Sequence, residues 1–244
     1  MTQVRLALLN AAYEGESTRR NFRRELDASL AEFDITDGEL PETYDYDGVV
    51  VTGSRASVYW DEPWIGPTRE WVAEAIDRDI PHLGVCWGHQ LLADVLGGTV
   101  DDMGDYEVGY SEIERLEDSR LFEGLDERFT AYTSHSDAVV ELPPGATPLA
   151  ENEYSNHGYA CGRVFGVQFH PEFDQPTMRK LLENKDLEPV YRDHLLEQVT
   201  DENHARTRPA SLVFENFTDY VRELQASADR EHESTGLDTT DISA

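Results

Sequence analysis

Residues 82–98, HLGVCWGHQLLADVLGG, read as a short buried strand, a tight turn and a helix that stops at the Gly97–Gly98 pair. Upstream, DGVVVTGS (47–54) is short, β-branched and closed by Gly53, which suits a strand buried on both faces of a parallel sheet. Between the two lie a loop with Tyr59, Trp60 and Trp64 and a helix expected from about Trp64 to Asp79. VRLALLN (4–10) reads as the first buried strand. The charged stretch Glu16 to Glu32 follows it and carries Phe22, Leu26, Ser29 and Leu30 at helical spacing. Alternation of strands and helices through the first hundred residues implies βαβ units and an α/β fold with an open, mostly parallel sheet flanked by helices.

Beyond residue 98 the pattern changes. VGYSEIERL, RFTAYTS, AVVEL and RVFGVQF are short strand candidates, with a Ser-Asp turn expected before AVVEL and a turn at Pro143–Pro144–Gly145. From Gln175 to Gln225 the pattern is helical, with a polar break near Asp201 to Pro209. Residues 227–244 carry almost nothing apolar and are expected to form a disordered acidic tail. No repeat or linker divides the rest, so residues 1–226 are read as a single domain, with 174–216 an extended helical region.

Fifty Asp+Glu against 20 Lys+Arg give the 244-residue chain a formal net charge of −30. Such a surface repels nucleic-acid phosphates and anionic membranes, so neither is an expected partner. Two cysteines, Cys86 and Cys161, cannot build a disulfide scaffold, and no run has the length of a membrane span. A cytoplasmic protein is expected. The cations are almost all Arg, with Lys only at 180 and 185, and the acids are spread along the chain. This fits an ordinary acidic protein, or one adapted to a cytosol of molar salt. At ~1 M ionic strength the Debye length falls to ~3 Å and self-repulsion is largely screened. On the second reading, the melting temperature rises with KCl up to the molar range. A flat or falling Tm in the same titration removes that reading.

Gly84-Val85-Cys86-Trp87-Gly88 is a nucleophile elbow with Cys in place of Ser. Its glycines suit a turn too tight for side chains, and a helix N-terminus favours thiolate over thiol. The N–H of Trp87 would face a reacting carbonyl. Taken alone, Cys86 is equally compatible with a core cysteine. A second segment, Gly166-Val167-Gln168-Phe169-His170-Pro171-Glu172, also follows a buried strand, so it should emerge at the same sheet edge. Pro171 biases His170 toward an extended backbone, in which Glu172 shares its side. Cys86, His170 and Glu172 thus suit the nucleophile, base and orienting acid of covalent acyl transfer. His82, His157 and His204 show no metal-ligand spacing and are read as structural or exposed, so no metal is expected. Cys161 is read as a core residue, and Trp60, Trp64 and Trp71 as packing or a pocket wall.

GVCWGHQLLADVLGG and GVQFHPEF resemble the class I, triad-type glutamine amidotransferases, most closely the glutaminase part of GMP synthetases. VTGSRASVYWDEPWI (51–65), EVGY (107–110) and TSHSDAVVELP (133–143) extend the resemblance over roughly the first 175 residues. It implies a flavodoxin-like domain that hydrolyses glutamine to glutamate and ammonia through a γ-glutamyl thioester on Cys86. It further implies oxyanion donors at Gly53, Ser54 and Trp87. Contacts to the substrate's amino-acid end would come from Gln90 and from the Ser134–His135 backbone.

The chain departs from the full synthetase pattern. It has no Ser-Gly-Gly-x-Asp-Ser loop and no Gly-x-x-x-x-Gly-Lys-Ser/Thr segment, so no ATP site of either kind and no cofactor are expected. Three readings follow. The chain is a glutaminase handing ammonia to a separate ATP-dependent synthetase, or a self-contained γ-glutamyl hydrolase, or a non-catalytic regulatory module. The complete triad disfavours the last. Segment 174–216 would cover the site, bind a partner or stand as a solvated helical hairpin.

Overall fold

The computed structural model describes residues 3–13 and 15–236. Strands β1 (Arg5–Asn10), β2 (Ser29–Asp34), β3 (Gly48–Val51), β4 (His82–Val85) and β9 (Val164–Val167) pair in parallel in the order β2-β1-β3-β4-β9. This is the flavodoxin-like order, with β9 as the fifth parallel strand. Alternation of side chains between two covered faces explains why β1, β3 and β4 are apolar at most positions, apart from Arg5, Asn10 and His82. Leu6, Leu8, Val50, Leu83 and Val85 point to one face, packed by helices α1 (Glu16–Glu25) and α7 (Leu212–Gly236) through Phe22, Phe214, Phe217 and Val221. Ala7, Leu9, Val49 and Val51 point to the other, packed by α2 (Ile65–Asp77) and α3 (Trp87–Val95) through Trp71, Val72, Leu91 and Leu92.

Beyond β9 the sheet continues antiparallel as β9-β8-β7-β5-β6. It is built from β5 (Thr99–Arg115), β6 (Arg128–Glu141), β7 (Thr147–Glu151) and β8 (Asn156–Cys161). Three helices, α4 (Gln175–Asn184), α5 (Pro189–Gln198) and α6 (Asp201–Thr207), precede α7. Met178, Leu182, Leu195 and Val199 seat α4 and α5 on Val108 and Tyr132 of β5 and β6, so this segment is no free-standing hairpin. None of the described helices is long and apolar enough to cross a membrane.

Four expectations are corrected. The helix from Glu16 ends at Glu25, and Ser29 and Leu30 belong to edge strand β2. Leu26 and Leu30 stand four apart, a spacing that lies on one face of a helix and equally of a strand. The edge is closed by charge: Arg23 pairs with Glu32 at 2.5 Å, and Arg19 with Asp34. The Ser-Asp turn is absent, because β6 runs unbroken through Ser136 and Asp137. Its partner β5 absorbs the irregularity between Asp102 and Glu107. The polar break at 201–209 is itself helical, started by Thr200, whose Oγ1 accepts the Asn203 N–H at 3.2 Å. Finally, α7 extends through Ser227–Gly236, where a disordered tail was expected. Its apolar first turns anchor it and its polar remainder is rich in helix formers. The rest of that tail, 237–244, lies outside the described residues.

Candidate active site

Cys86 sits between β4 and α3 with φ 54° and ψ −105°, a conformation that side chains other than glycine's rarely adopt. Its N–H donates to the Val167 carbonyl at 2.8 Å, which fastens the elbow to β9. The flanking glycines are required by contact. A Cβ on Gly84 would lie 2.4 Å from the Gly88 carbonyl, and one on Gly88 would lie 2.2 Å from the Val51 oxygen. Trp87 opens α3, so its N–H belongs to the first turn, which has no intrahelical acceptor. Its indole is fully buried, 5.0 Å from the Trp64 ring.

β9 lies beside β4, so the segments leaving them emerge together. The His170 N–H donates to the Tyr132 carbonyl at 2.8 Å, and its ring stacks on Phe173 at 4.0 Å. Nδ1 lies 2.9 Å from Oε1 of Glu172, which is 1% exposed. With Nδ1 held there, Nε2 is left for the cysteine side. Arg24 holds Glu172 in place, donating from Nη2 to its carbonyl at 2.5 Å. Gly53 closes over the pair. A Cβ there would lie 2.8 Å from His170 Cε1 and 3.5 Å from Cys86 Cβ. Burial alone would lower the His170 pKa. The charges and hydrogen bonds of Cys86 and Glu172 overturn this and push it up to about 10. A buried imidazole that holds its proton against desolvation is suited to delivering it to a leaving group.

A cavity of about 340 Å³ opens beside His170 and Glu172, lined by Gly53, Ser54, Arg55, Ser134, Lys180 and Lys185 among others. The sequence-derived oxyanion and substrate residues divide here. Gly53, Ser54 and Ser134 line the cavity; Gln90 and His135 do not. The Gln90 amide is buried, donating to the Asp137 carbonyl at 2.8 Å and to Gln168 at 3.0 Å, so it braces β6 from beneath. His135 turns inward to Glu107, Nε2 to Oε2 at 2.8 Å, and His157 Nε2 meets the same oxygen at 3.1 Å. Burial would raise the Glu107 pKa, but the bonds to His135 and His157 hold it well below the usual carboxylate range. These three residues bring metal-ligand atom types within 4.8 Å of one another, a grouping hidden by their sequence separation. Their contacts are hydrogen bonds that fix the strand carrying Ser134. His82 is likewise buried, on the Ile80 carbonyl at 2.7 Å. Cys161 is half-buried, Trp64 and Trp71 are core residues, and Trp60 is exposed.

Sequence reasoning did not assign the far wall. Thr177, Lys180, Leu181 and Asn184 recur at three- and four-residue spacing and turn one face of α4 to the cavity, and Lys185 follows at its C-terminus. The signal was present: the chain's two lysines, 180 and 185, both lie on this wall.

Residues 12–188 match the family described as glutamine amidotransferase class-I. Curated relatives include a GMP synthase [glutamine-hydrolyzing] of Helicobacter pylori, 38% identical over 139 residues, covering 56% of this chain and 26% of that protein. The corresponding Thermomicrobium roseum protein is 41% identical over 128 residues, 51% of this chain and 23% of its own length. The chain thus aligns with about a quarter of each of these relatives. A solved glutamine amidotransferase of Thermotoga maritima superposes with a TM-score of 0.74 at 27% identity, covering 89% of this chain and 99% of the other. With the match spanning most of its length and the fold shared over 89% of it, the chain belongs to the class I glutamine amidotransferase family.

Proposed function

We propose that the chain hydrolyses the side-chain amide of glutamine through a Cys86 thioester and delivers the ammonia to a separate ATP-dependent synthetase. The observation that carries this reading is that Cys86 and His170 close on the same glycine, Gly53, while His170, paired with Glu172, lines the adjoining cavity. Sγ of Cys86 attacks the amide carbon, and the oxyanion is met by N–H groups of Trp87 and of the Gly53–Ser54 loop. The proton shared by Cys86 and His170 rests on the imidazole, which passes it to the departing ammonia, leaving a γ-glutamyl thioester. Water, deprotonated by His170, then releases glutamate and restores the Cys86 thiolate beside protonated His170. Glu172 orients His170 and stabilises its charge. Ser134 receives the amino-acid end, while Gln90 and His135 act on it indirectly by bracing β6.

The acceptor is inferred from the relatives, which are named GMP synthases and extend far beyond the matched stretch. We further infer a cytoplasmic protein, and the −30 charge supports a cytosol rich in salt. Purified chain in molar KCl, offered glutamine or γ-glutamyl dipeptides with ammonia and glutamate measured, tests the reading. Weak glutaminase activity, no preference for dipeptides and a rise of at least ~10-fold with the cognate synthetase are expected. That rise needs only ~1.4 kcal/mol of coupling. Robust dipeptide cleavage by the chain alone, with glutamine a poor substrate, identifies a self-contained γ-glutamyl hydrolase instead.

A further inference from the structure

Every carboxylate-bearing ligand that reaches this cavity must approach a molecule of net charge −30. The cavity is built against that trend. Among the described residues its lining carries Arg55, Lys180 and Lys185 but a single acid, Glu172, whose carboxylate is engaged by His170. Lys185 is the most enclosed of the three cations. Its Nζ donates to Ser134 Oγ at 2.9 Å and lies 3.8 Å from the centroid of the Tyr106 ring. Ser134 Oγ also bonds the Tyr106 hydroxyl at 2.8 Å, so the ammonium is held in one place by two groups that are themselves fixed. Among the described residues no carboxylate lies within ion-pair distance of Lys185, in a chain with 50 of them. Burial pushes its pKa down to about 8, opposed by the negative charge of Cys86. A half-buried ammonium that no described carboxylate pairs is costly to keep unless something completes it.

We propose that Lys185 is a specificity-determining residue that anchors the α-carboxylate of the amino-acid substrate beside Ser134. The geometry accounts for its placement. Ser134 is where the substrate's amino-acid end is received on the proposed glutaminase reading, on which this inference rests. The ammonium sits at the same hydroxyl, on the cavity wall formed by α4 and its C-terminus. A bound carboxylate supplies the missing counter-charge, and the Tyr106 ring limits where the ammonium can move. Charge-assisted hydrogen bonds are the strong ones, so the anchor selects free amino acids over neutral amides of similar length.

The test uses a diazoketone analogue of glutamine and its methyl ester, with labelling of Cys86 followed by mass spectrometry in molar KCl. The carbon bearing the diazo group is protonated, the Cys86 sulfur bonds to it, and N₂ leaves. In the native chain the acid should label at least ~10-fold faster than the ester at low concentration. Lys185→Met should reduce that ratio to within ~3-fold by slowing the acid alone, while Lys185→Arg keeps most of it. Lys185→Gln retains a donor for Ser134 without the charge and gives the same loss of ratio if the methionine variant does not fold. For glutamine hydrolysis, Lys185→Met should raise KM at least ~10-fold with kcat within ~3-fold. Equal labelling by acid and ester in the native chain overturns the proposal, as does an equal slowing of both by Lys185→Met. A preserved acid preference in a chain that does not hydrolyse glutamine leaves the anchor standing and removes the glutaminase reading.

Discussion

Cys86→Ala is expected to reduce glutamine hydrolysis by a factor on the order of 10⁶, the scale set by removing the nucleophile of a serine-triad enzyme. No other side chain at the elbow can form the thioester. Alanine shares the backbone preferences of cysteine, so the fold persists. Cys86→Ser should be nearly as inactive, because a hydroxyl is far less ionised than a thiol in the same place. The second cysteine provides the internal control. Cys161 pairs with Val164 at the start of β9, whereas Cys86, the proposed nucleophile, follows the end of β4 beside Val167. The two thiols therefore stand at opposite edges of the parallel sheet, roughly four strand residues or ~13 Å apart along it. A glutamine-like electrophile should modify Cys86 and leave Cys161 intact; modification of Cys161 instead overturns the assignment.

His170→Ala should lose almost as much, since residues that act as a unit are not additive. Glu172→Gln should lose about 10²–10⁴ in turnover, by analogy with the orienting acid of a serine triad. Glutamine can still hold the imidazole at Nδ1 but no longer supports its charge. The pH profile carries a sign. Against the burial that lowers it, Cys86 and Glu172 raise the His170 pKa to about 10, so the imidazolium form is retained up to that range and lost above it. Removing the Glu172 charge lowers that pKa, and the alkaline limb of kcat/KM should move to lower pH in Glu172→Gln. A native rate with an unmoved alkaline limb, measured in molar KCl, removes Glu172 from the mechanism.

The parallel half of the fold was legible because its inner strands are buried on both faces and apolar at nearly every position. GVVV and HLGV leave no alternative to interior strands. The elbow was legible for a different reason: Gly84 and Gly88 are dictated by backbone atoms, so the pattern cannot drift. Edge strand β2 was hidden because half-exposed residues at a four-residue spacing satisfy two periodicities. The Ser136–Asp137 turn misled because a polar pair inside a strand looks like a break until the partner's irregularity is seen. Tertiary pairing also concealed the site's support. Glu107, His135 and His157 are scattered in sequence and meet only through the pairing of β5 and β6 and the fold of β8 beside them. Gln90 and His135 were expected at the substrate's amino-acid end, but neither lines the cavity and their side chains bond to the framework.

On the proposed thioester mechanism, the backbone of Cys86 carries a cost that only its chemistry repays. An L-residue held in such a conformation costs about 1–3 kcal/mol, a large share of the stability of an ordinary domain. Glycine would relieve that strain, yet glycine has no sulfur. Mutation toward the easier backbone therefore runs toward a better-folded, inert descendant, and only the demand for chemistry opposes it. In a lineage where that demand lapses, position 86 should be among the first in the molecule to change. Its identity then reports whether the enzyme still works for its host.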